Sequence, residues 1–192
     1  MRFIAAGGAL AFVMGVLAAA FFFGGFYSVA GTSEEPAIVS WALARVRAAS
    51  VERHANDVPP AMIGFRATVR SGAREFAEYG CANCHGAPGE NWAKFSEGLR
   101  PAPPDLKEIV NDRTPAQLFW VIKNGINMTG MPSFGIAGAS DDDLWQIVAF
   151  LKQLPNVTEK EFKAWTSAAP TPPLASEVPS PAETAPSMGQ IR

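Results

Sequence analysis

Cysteine and histidine are scarce in this chain, with two of each among 192 residues. Two cysteines cannot build a disulfide framework, and a zinc site of four cysteines is out of reach. An excess of one charge is also missing. Sixteen Lys+Arg stand against 18 Asp+Glu, a formal net charge of -2, so the basic footprint of a nucleic-acid binder is absent. Charged residues make up only 18% of the chain, against about a quarter in ordinary soluble proteins. That deficit points to one unusually apolar segment. No stretch alternates apolar and polar residues as a half-buried strand does, and no segment repeats. The length allows one ordinary domain with appendages.

The apolar segment lies at the N-terminus. Residues 3–33 carry no charge, and the run from Phe3 to Val29 reads FIAAGGALAFVMGVLAAAFFFGGFYSV. As a helix it would be about 40 Å long, enough to cross a hydrocarbon core of about 30 Å with some tilt. A secretory signal is the competing reading, but the apolar region of a signal spans only about 7–15 residues. Ala18-Ala19-Ala20 and Ser28-Val29-Ala30 would both suit cleavage, so removal of the segment stays open beside the favoured uncleaved anchor. Phe21, Phe22, Phe23, Phe26 and Tyr27 gather at its far end, where aromatic rings favour the membrane interface. Only Arg2 and the α-amino group precede the run. Positive charge stays inside, so everything after Thr32 is expected outside the cytoplasm.

The chain then divides into an anchor at 1–31, a helical arm at 32–60, a globular domain at 61–167 and a tail at 168–192. In the arm, Ser33 is expected to cap a helix whose first turn holds Glu34, Glu35 and Pro36. Val39, Leu43 and Val46 follow at helical spacing, with Arg45, Arg47 and Arg53 on other faces, and Val58-Pro59-Pro60 ends the helix. Three helices are expected in the domain. One runs near Thr68 to Tyr79, with Val69, Phe76 and Tyr79 apolar and Gly80 at its end. A second spans Pro115 to Asn124 and carries Leu118, Phe119, Val121 and Ile122. The last opens with Ser140 and Asp143 at the spacing of a capping box, with Asp141 to Asp143 at the positive end of its dipole. It continues through Leu144, Ile147, Val148 and Leu151 to Pro155. The domain is therefore all-α, with long loops rich in Gly and Pro. The tail holds six Pro among Ala, Ser and Thr and is expected to be disordered.

One motif carries chemistry. Cys81-Ala82-Asn83-Cys84-His85 is C-x-x-C-H, in which two thiols add across the vinyl groups of a haem and the following His becomes an axial iron ligand. The two intervening residues match the separation of the vinyls along one porphyrin edge. A thioredoxin-like thiol pair needs a βαβ setting that is missing here. A Cys2His2 zinc site would need His54, and it would place the neighbours Cys84 and His85 on one metal without the usual second knuckle. No His follows His85, so the sixth position on iron falls to a Met thioether or stays open. The methionines are Met1, Met14, Met62, Met128, Met131 and Met188. Met131 sits in Thr129-Gly130-Met131-Pro132-Ser133-Phe134-Gly135. Pro132 keeps it out of a helix, and Gly130 and Gly135 suit close approach to the macrocycle. Met131 is the expected distal ligand. Met128 is the alternative, although core filler is its ordinary role. A further variant brings His54 back over the haem at the Pro59-Pro60 break.

On these residues the sequence resembles a small monohaem c-type cytochrome of the His/Met kind. It is similar to the domain shared by the cytochrome subunits of some terminal oxidases and membrane dehydrogenases. The resemblance runs from about Val69 to Leu154. It rests on Gly72 to Phe76, Cys81 to His85, Pro101 to Leu106, the Thr129 to Gly135 loop and Asp143 to Leu151. It implies a small cytochrome c fold wrapped on one covalent haem c, preceded here by the N-terminal helix. Cys81 and Cys84 would be the thioether sites, His85 the proximal ligand and Met131 the distal one. The first domain helix would cross the last at Gly72 and Phe76, with Trp145 and Phe150 facing them. A proline carbonyl after the motif would accept the His85 N–H, with Pro101, Pro103 and Pro104 all eligible. Arg100 and Trp92 are candidates for the haem propionates.

Two strong axial ligands leave no open position on iron, which favours one-electron exchange over oxygen or peroxide chemistry. The resemblance implies haem attachment outside the bacterial cytoplasm. The expectation is a single-pass inner-membrane protein with its haem domain in the periplasm. It would exchange electrons with a membrane-bound or periplasmic dehydrogenase, quinol-oxidising complex or terminal oxidase. The competing function is a haem enzyme, or a gas or peroxide sensor with a displaceable Met131; a zinc-bound interaction module is the third. A domain of this size is marginal alone, so Phe76, Phe95, Phe119 and Phe134 are expected to pack on the haem.

Overall fold

In the computed structural model, which describes residues 2–26 and 28–167, two helices cross at the centre. They are α3 (Arg66–Glu78) and α7 (Asp141–Gln153). The other helices are α2 (Ala37–His54), α4 (Cys81–His85), α5 (Leu106–Ile109), α6 (Pro115–Asn124) and α8 (Glu159–Thr166), preceded in the chain by α1 (Arg2–Phe23). The described residues form no strand beyond one isolated bridge, Ala87 to Glu90. The fold is all-α, as expected. The tail 168–192, with Met188, lies outside the described residues, as do Met1 and Tyr27.

The crossing is made possible by Gly72, where a Cβ would collide with the backbone carbonyl of Gln146. Phe76 and Phe150 then meet at 5.2 Å between ring centroids, and Phe150 stacks on Phe162 of α8 at 5.7 Å. Trp145 departs from expectation. It stacks on Phe119 of α6 at 4.1 Å and 8° rather than joining Phe150 on α3. Five residues along a helix turn the side chain by about 140°, so the two rings serve different neighbours.

Capping boxes open three of the helices. Ser140 with Asp143 starts α7 as expected, Thr114 with Gln117 starts α6, and Thr158 with Glu161 starts α8. Helix α8 was not foreseen, yet it contributes the fully buried Phe162. Lys152 Nζ donates to the carbonyls of Val110 (2.7 Å) and Arg113 (3.1 Å), tying the segment before α6 to α7.

The arm differs from expectation in three ways. Helix α2 begins after Pro36 with no side-chain cap, and Ser33 instead pairs with Ser28 at 2.7 Å between hydroxyls. The residue before a proline is pushed out of helical geometry, so Glu35 cannot belong to the first turn. The helix also stops at His54, ahead of Val58-Pro59-Pro60, where the Asn56 side chain donates to the Arg53 carbonyl and competes with further turns. Finally, Leu43 and Val46 are exposed, while Val51 is buried and His54 stacks on Trp120 of α6.

Helix α1 ends before Gly24-Gly25, short of Val29. Its Ala6–Phe23 stretch is long and apolar enough to cross a membrane, by length and composition alone.

Candidate functional site

Helix α3 closes with Gly80 in the left-handed region (φ 72°), and α4 follows at once with the whole C-x-x-C-H motif. Cys81 and Cys84 are half-buried and free of a disulfide. Cys81 packs against the central core together with Ala82. Burial pushes the Cys81 thiol up to about 12, which disfavours the reactive thiolate of a redox pair. Among the described residues no group of three His, Cys, Asp or Glu is arranged to hold a metal ion, so nothing supports the zinc reading.

His85 Nδ1 lies 3.0 Å from the carbonyl oxygen of Pro104. A carbonyl only accepts, so Nδ1 carries the proton and Nε2 keeps its lone pair for a metal. Burial lowers the His85 pKa, opposed by the Pro104 carbonyl; the neutral imidazole it favours is the form that ligates metals. Of the three eligible prolines, Pro104 is the acceptor. Asp105, next in the chain, caps α5 by accepting from the Lys107 N–H at 2.8 Å.

The loop holding Met131 is knitted onto the open C-terminal end of α6. Phe134 N–H donates to the Ile122 carbonyl (3.2 Å), and Gly135 N–H and the Ser133 hydroxyl donate to that of Lys123 (3.0 and 2.7 Å). These bonds satisfy carbonyls that a helix end leaves without partners. Ile126 N–H donates to the Met131 carbonyl (3.1 Å), and Met131 N–H donates to the Thr129 hydroxyl (3.1 Å). The turn depends on Gly125 at φ 69°, where a Cβ would sit 2.6 Å from the Pro132 carbonyl carbon.

Met131 ends half-buried against the same core that Cys81 touches. Met128, at φ 59°, is 84% exposed. The two sides of the site meet where Gly130 lies against Leu99, a Cβ there falling 2.9 Å from the leucine methyl. Gly130 and Gly135 thus face Leu99 and Lys123, neighbours the sequence alone did not name for them.

Other candidates fall elsewhere. His54 is held on Trp120, with Nδ1 2.8 Å from the Ser50 carbonyl. Met14 is in α1 and Met62 is exposed. Arg100 donates to the carbonyls of Glu97 (3.0 Å) and Leu99 (2.9 Å). Trp92 borders a cavity of about 130 Å³ beside His85, Asp105 and Lys107. Phe76 and Phe119 are buried at 1% exposure by protein side chains, so they offer no broad face to a cofactor. Phe134 is half-buried against Tyr79, and Phe95 is exposed.

The donor set fits a covalent haem. Two cysteines and a histidine share one short helix, the imidazole is oriented by a carbonyl, and apolar side chains stand half-covered beside them. This is a c-type cytochrome domain. Residues 67–151 match the family model described as cytochrome c oxidase, cbb3-type, subunit III. The matched span runs from α3 into α7 and contains Cys81, Cys84, His85 and Met131. The chain thus carries the domain of an electron-transfer haem protein with covalently bound haem c. No curated protein and no solved structure matches it.

Proposed function

We propose that this protein is a membrane-anchored electron carrier, with one haem c attached through Cys81 and Cys84 and ligated by His85 and Met131. The observation that carries this reading is the contrast between two methionines. Met131 is half-buried on the same core that Cys81 packs against, whereas Met128 is 84% exposed. Haem supplies reversible one-electron Fe(III)/Fe(II) exchange when bound. The protein's task is positional. Pro104 holds the His85 ring and leaves Nε2 free. The hydrogen-bonded loop holds Met131 half-buried on the core, where its thioether would be the second protein ligand to the haem iron, and Leu99 packs against Gly130 of the same loop.

The haem domain sits on the periplasmic side of the inner membrane, tethered by α1. It passes electrons to or within a respiratory or dehydrogenase complex. The anchor raises the local concentration of such membrane partners. Basic and acidic residues are balanced, 9 against 10 between Arg66 and Pro155, so fit rather than long-range attraction selects the partner.

Visible spectra of protein made with a haem-attachment system test the site. Haem should stay with the chain after denaturation, and the oxidised form should show a weak far-red sulfur-to-iron band. Met131→Ala should abolish that band and Met128→Ala should keep it. A high-spin spectrum that binds carbon monoxide readily in the unsubstituted protein would instead mean an open distal site, and a haem enzyme or gas sensor.

A further inference from the structure

The first half of α2, residues 37–46, is apolar on every face. Ile38, Val39, Trp41, Ala42, Leu43, Ala44 and Val46 leave only Ser40 and Arg45 polar after Ala37. A helix that is apolar all round is normally enclosed. Here Ile38 is 69% exposed, Trp41 59% and Val46 67%. The second half behaves differently, with Val51 buried, His54 stacked on Trp120 of α6, and Glu52 and Arg53 in solvent.

Two observations say what covers the first half. One is continuity. Residues 24–36 are all that separate α2 from the apolar α1, and Phe22, Phe23, Phe26 and Val29 are exposed on that approach. The other is chemistry. The Arg45 guanidinium lies 6.0 Å over the Trp41 ring. Arg45, Arg47 and Arg53 against Glu52 make α2 basic in a chain of net charge -2. An indole with arginines beside it suits the headgroup region, and the cations are drawn to anionic lipid.

We propose that the first half of α2 is seated in the headgroup region of the membrane that α1 spans, with anionic phospholipid as its ligand. This rests on the anchor reading given above. Because the second half of α2 is docked on α6, the cytochrome domain is then held at one attitude to the bilayer instead of swinging on a free tether.

The test uses the full-length, haem-loaded protein in vesicles of mixed zwitterionic and anionic phospholipid. A bimane label is placed at Ile38→Cys or Val46→Cys. Val16→Cys in α1 and Glu52→Cys on the outer face of α2 serve as references. Thioether formation keeps Cys81 and Cys84 from labelling, which the unsubstituted protein checks, and an unchanged visible spectrum shows that each variant is folded. Lipid brominated near the headgroup end of its acyl chains should quench positions 38 and 46, lipid brominated deeper in the chain should quench 16 in preference to them, and aqueous iodide should quench only position 52. Replacing the anionic lipid by zwitterionic lipid should restore part of the emission at 38 and 46. Iodide quenching at 38 and 46, with 16 still in lipid, would overturn the inference and leave the anchor standing. Protection from both quenchers would mean that a second protein covers the helix, and it too would overturn the inference. No lipid quenching at 16 would remove the anchor itself. Emission indifferent to lipid charge would overturn the anionic ligand.

Discussion

A Cβ at Gly72 would meet the backbone carbonyl of Gln146, and no rotamer change can move a backbone. Gly72→Ala must therefore part α3 from α7 or strain both. The expected loss is at the upper end of the about 1–3 kcal/mol that overpacking a core costs, read as a lowered thermal midpoint of the haem-loaded protein. Glu75, one turn away, poses a charge problem. Burial raises its pKa first, then the negative charges of Asp143 on α7 and of Glu78, with Arg74 acting the other way. A carboxyl whose pKa is raised on folding binds its proton more tightly in the native state. Stability therefore falls as pH rises from the ordinary carboxylate range through the raised value. Glu75→Gln should match the parent near pH 4 and exceed its thermal midpoint at pH 7. A variant less stable than the parent at pH 7 would show that the Glu75 carboxylate makes a contact that outweighs its burial. At this scale the sequence was most readable where local chemistry decides. Pro132 sets Met131 apart from Met128 without a structure. Nothing local separates Pro101, Pro103 and Pro104, because the choice depends on how the 18 residues 86–103 fold back from His85 to place the Pro104 carbonyl 3.0 Å from Nδ1.

Elements were legible in proportion to their end signals. Helix α6 lies where it was expected, from Pro115 to Asn124, because Thr114-Pro115 opens it and Asn124-Gly125 closes it. Helix α7 is equally plain from Ser140 and its three aspartates. Helix α8 carries the same kind of signature in Thr158 and Glu161, but its apolar pattern is only Phe162 and Trp165, too short to show a period. In the arm, Val39, Leu43 and Val46 have the spacing of a stripe, yet Leu43 and Val46 are exposed and only Val39 is partly buried. The caps differ in what they support. Ser140 Oγ accepts from the Asp143 N–H at 3.1 Å, and the Asp143 carboxylate accepts from the Ser140 hydroxyl at 2.7 Å and N–H at 3.3 Å, and from Tyr79 at 3.4 Å. It starts the helix against which α3 and α6 pack and on which Phe162 of α8 stacks through Phe150. Ser140→Ala should cost about 1 kcal/mol, within the usual range for a lost N-cap. The loss should appear as a lower denaturant midpoint of the whole domain with an unchanged slope. Thr158→Ala removes a like bond from a helix at the edge of the fold, and its loss is more local.

At the scale of the molecule, two kinds of packing stand side by side. Phe76, Phe150, Phe162 and Phe119 are sealed among α3, α6, α7 and α8 and need nothing further to cover them. Cys81, Ala82, Met131, Phe134 and Ile109 are only half-covered at the rim of the same core. The short helix α4 and the Met131 loop owe their order mainly to that rim. Each is held by a handful of backbone bonds, and α4 has five residues, fewer than a helix needs for stability of its own. Covalent haem would seal the rim and tie α4 to the loop. Without it, α4 and the loop lose their cover while the α3–α7 crossing keeps its own. The double variant Cys81→Ala, Cys84→Ala, made without haem, should therefore keep much of its far-ultraviolet helical signal. It should lose the part of the near-ultraviolet signal that comes from the packed pair Tyr79 and Phe134, because Phe134 belongs to the uncovered loop. Amide exchange should be fast at 81–85 and 126–135 and slow within α3 and α7. A near-ultraviolet spectrum as sharp as that of the haem-loaded protein would mean that the rim is sealed by protein alone. The haem would then be a passenger on a finished fold instead of the last part of its core.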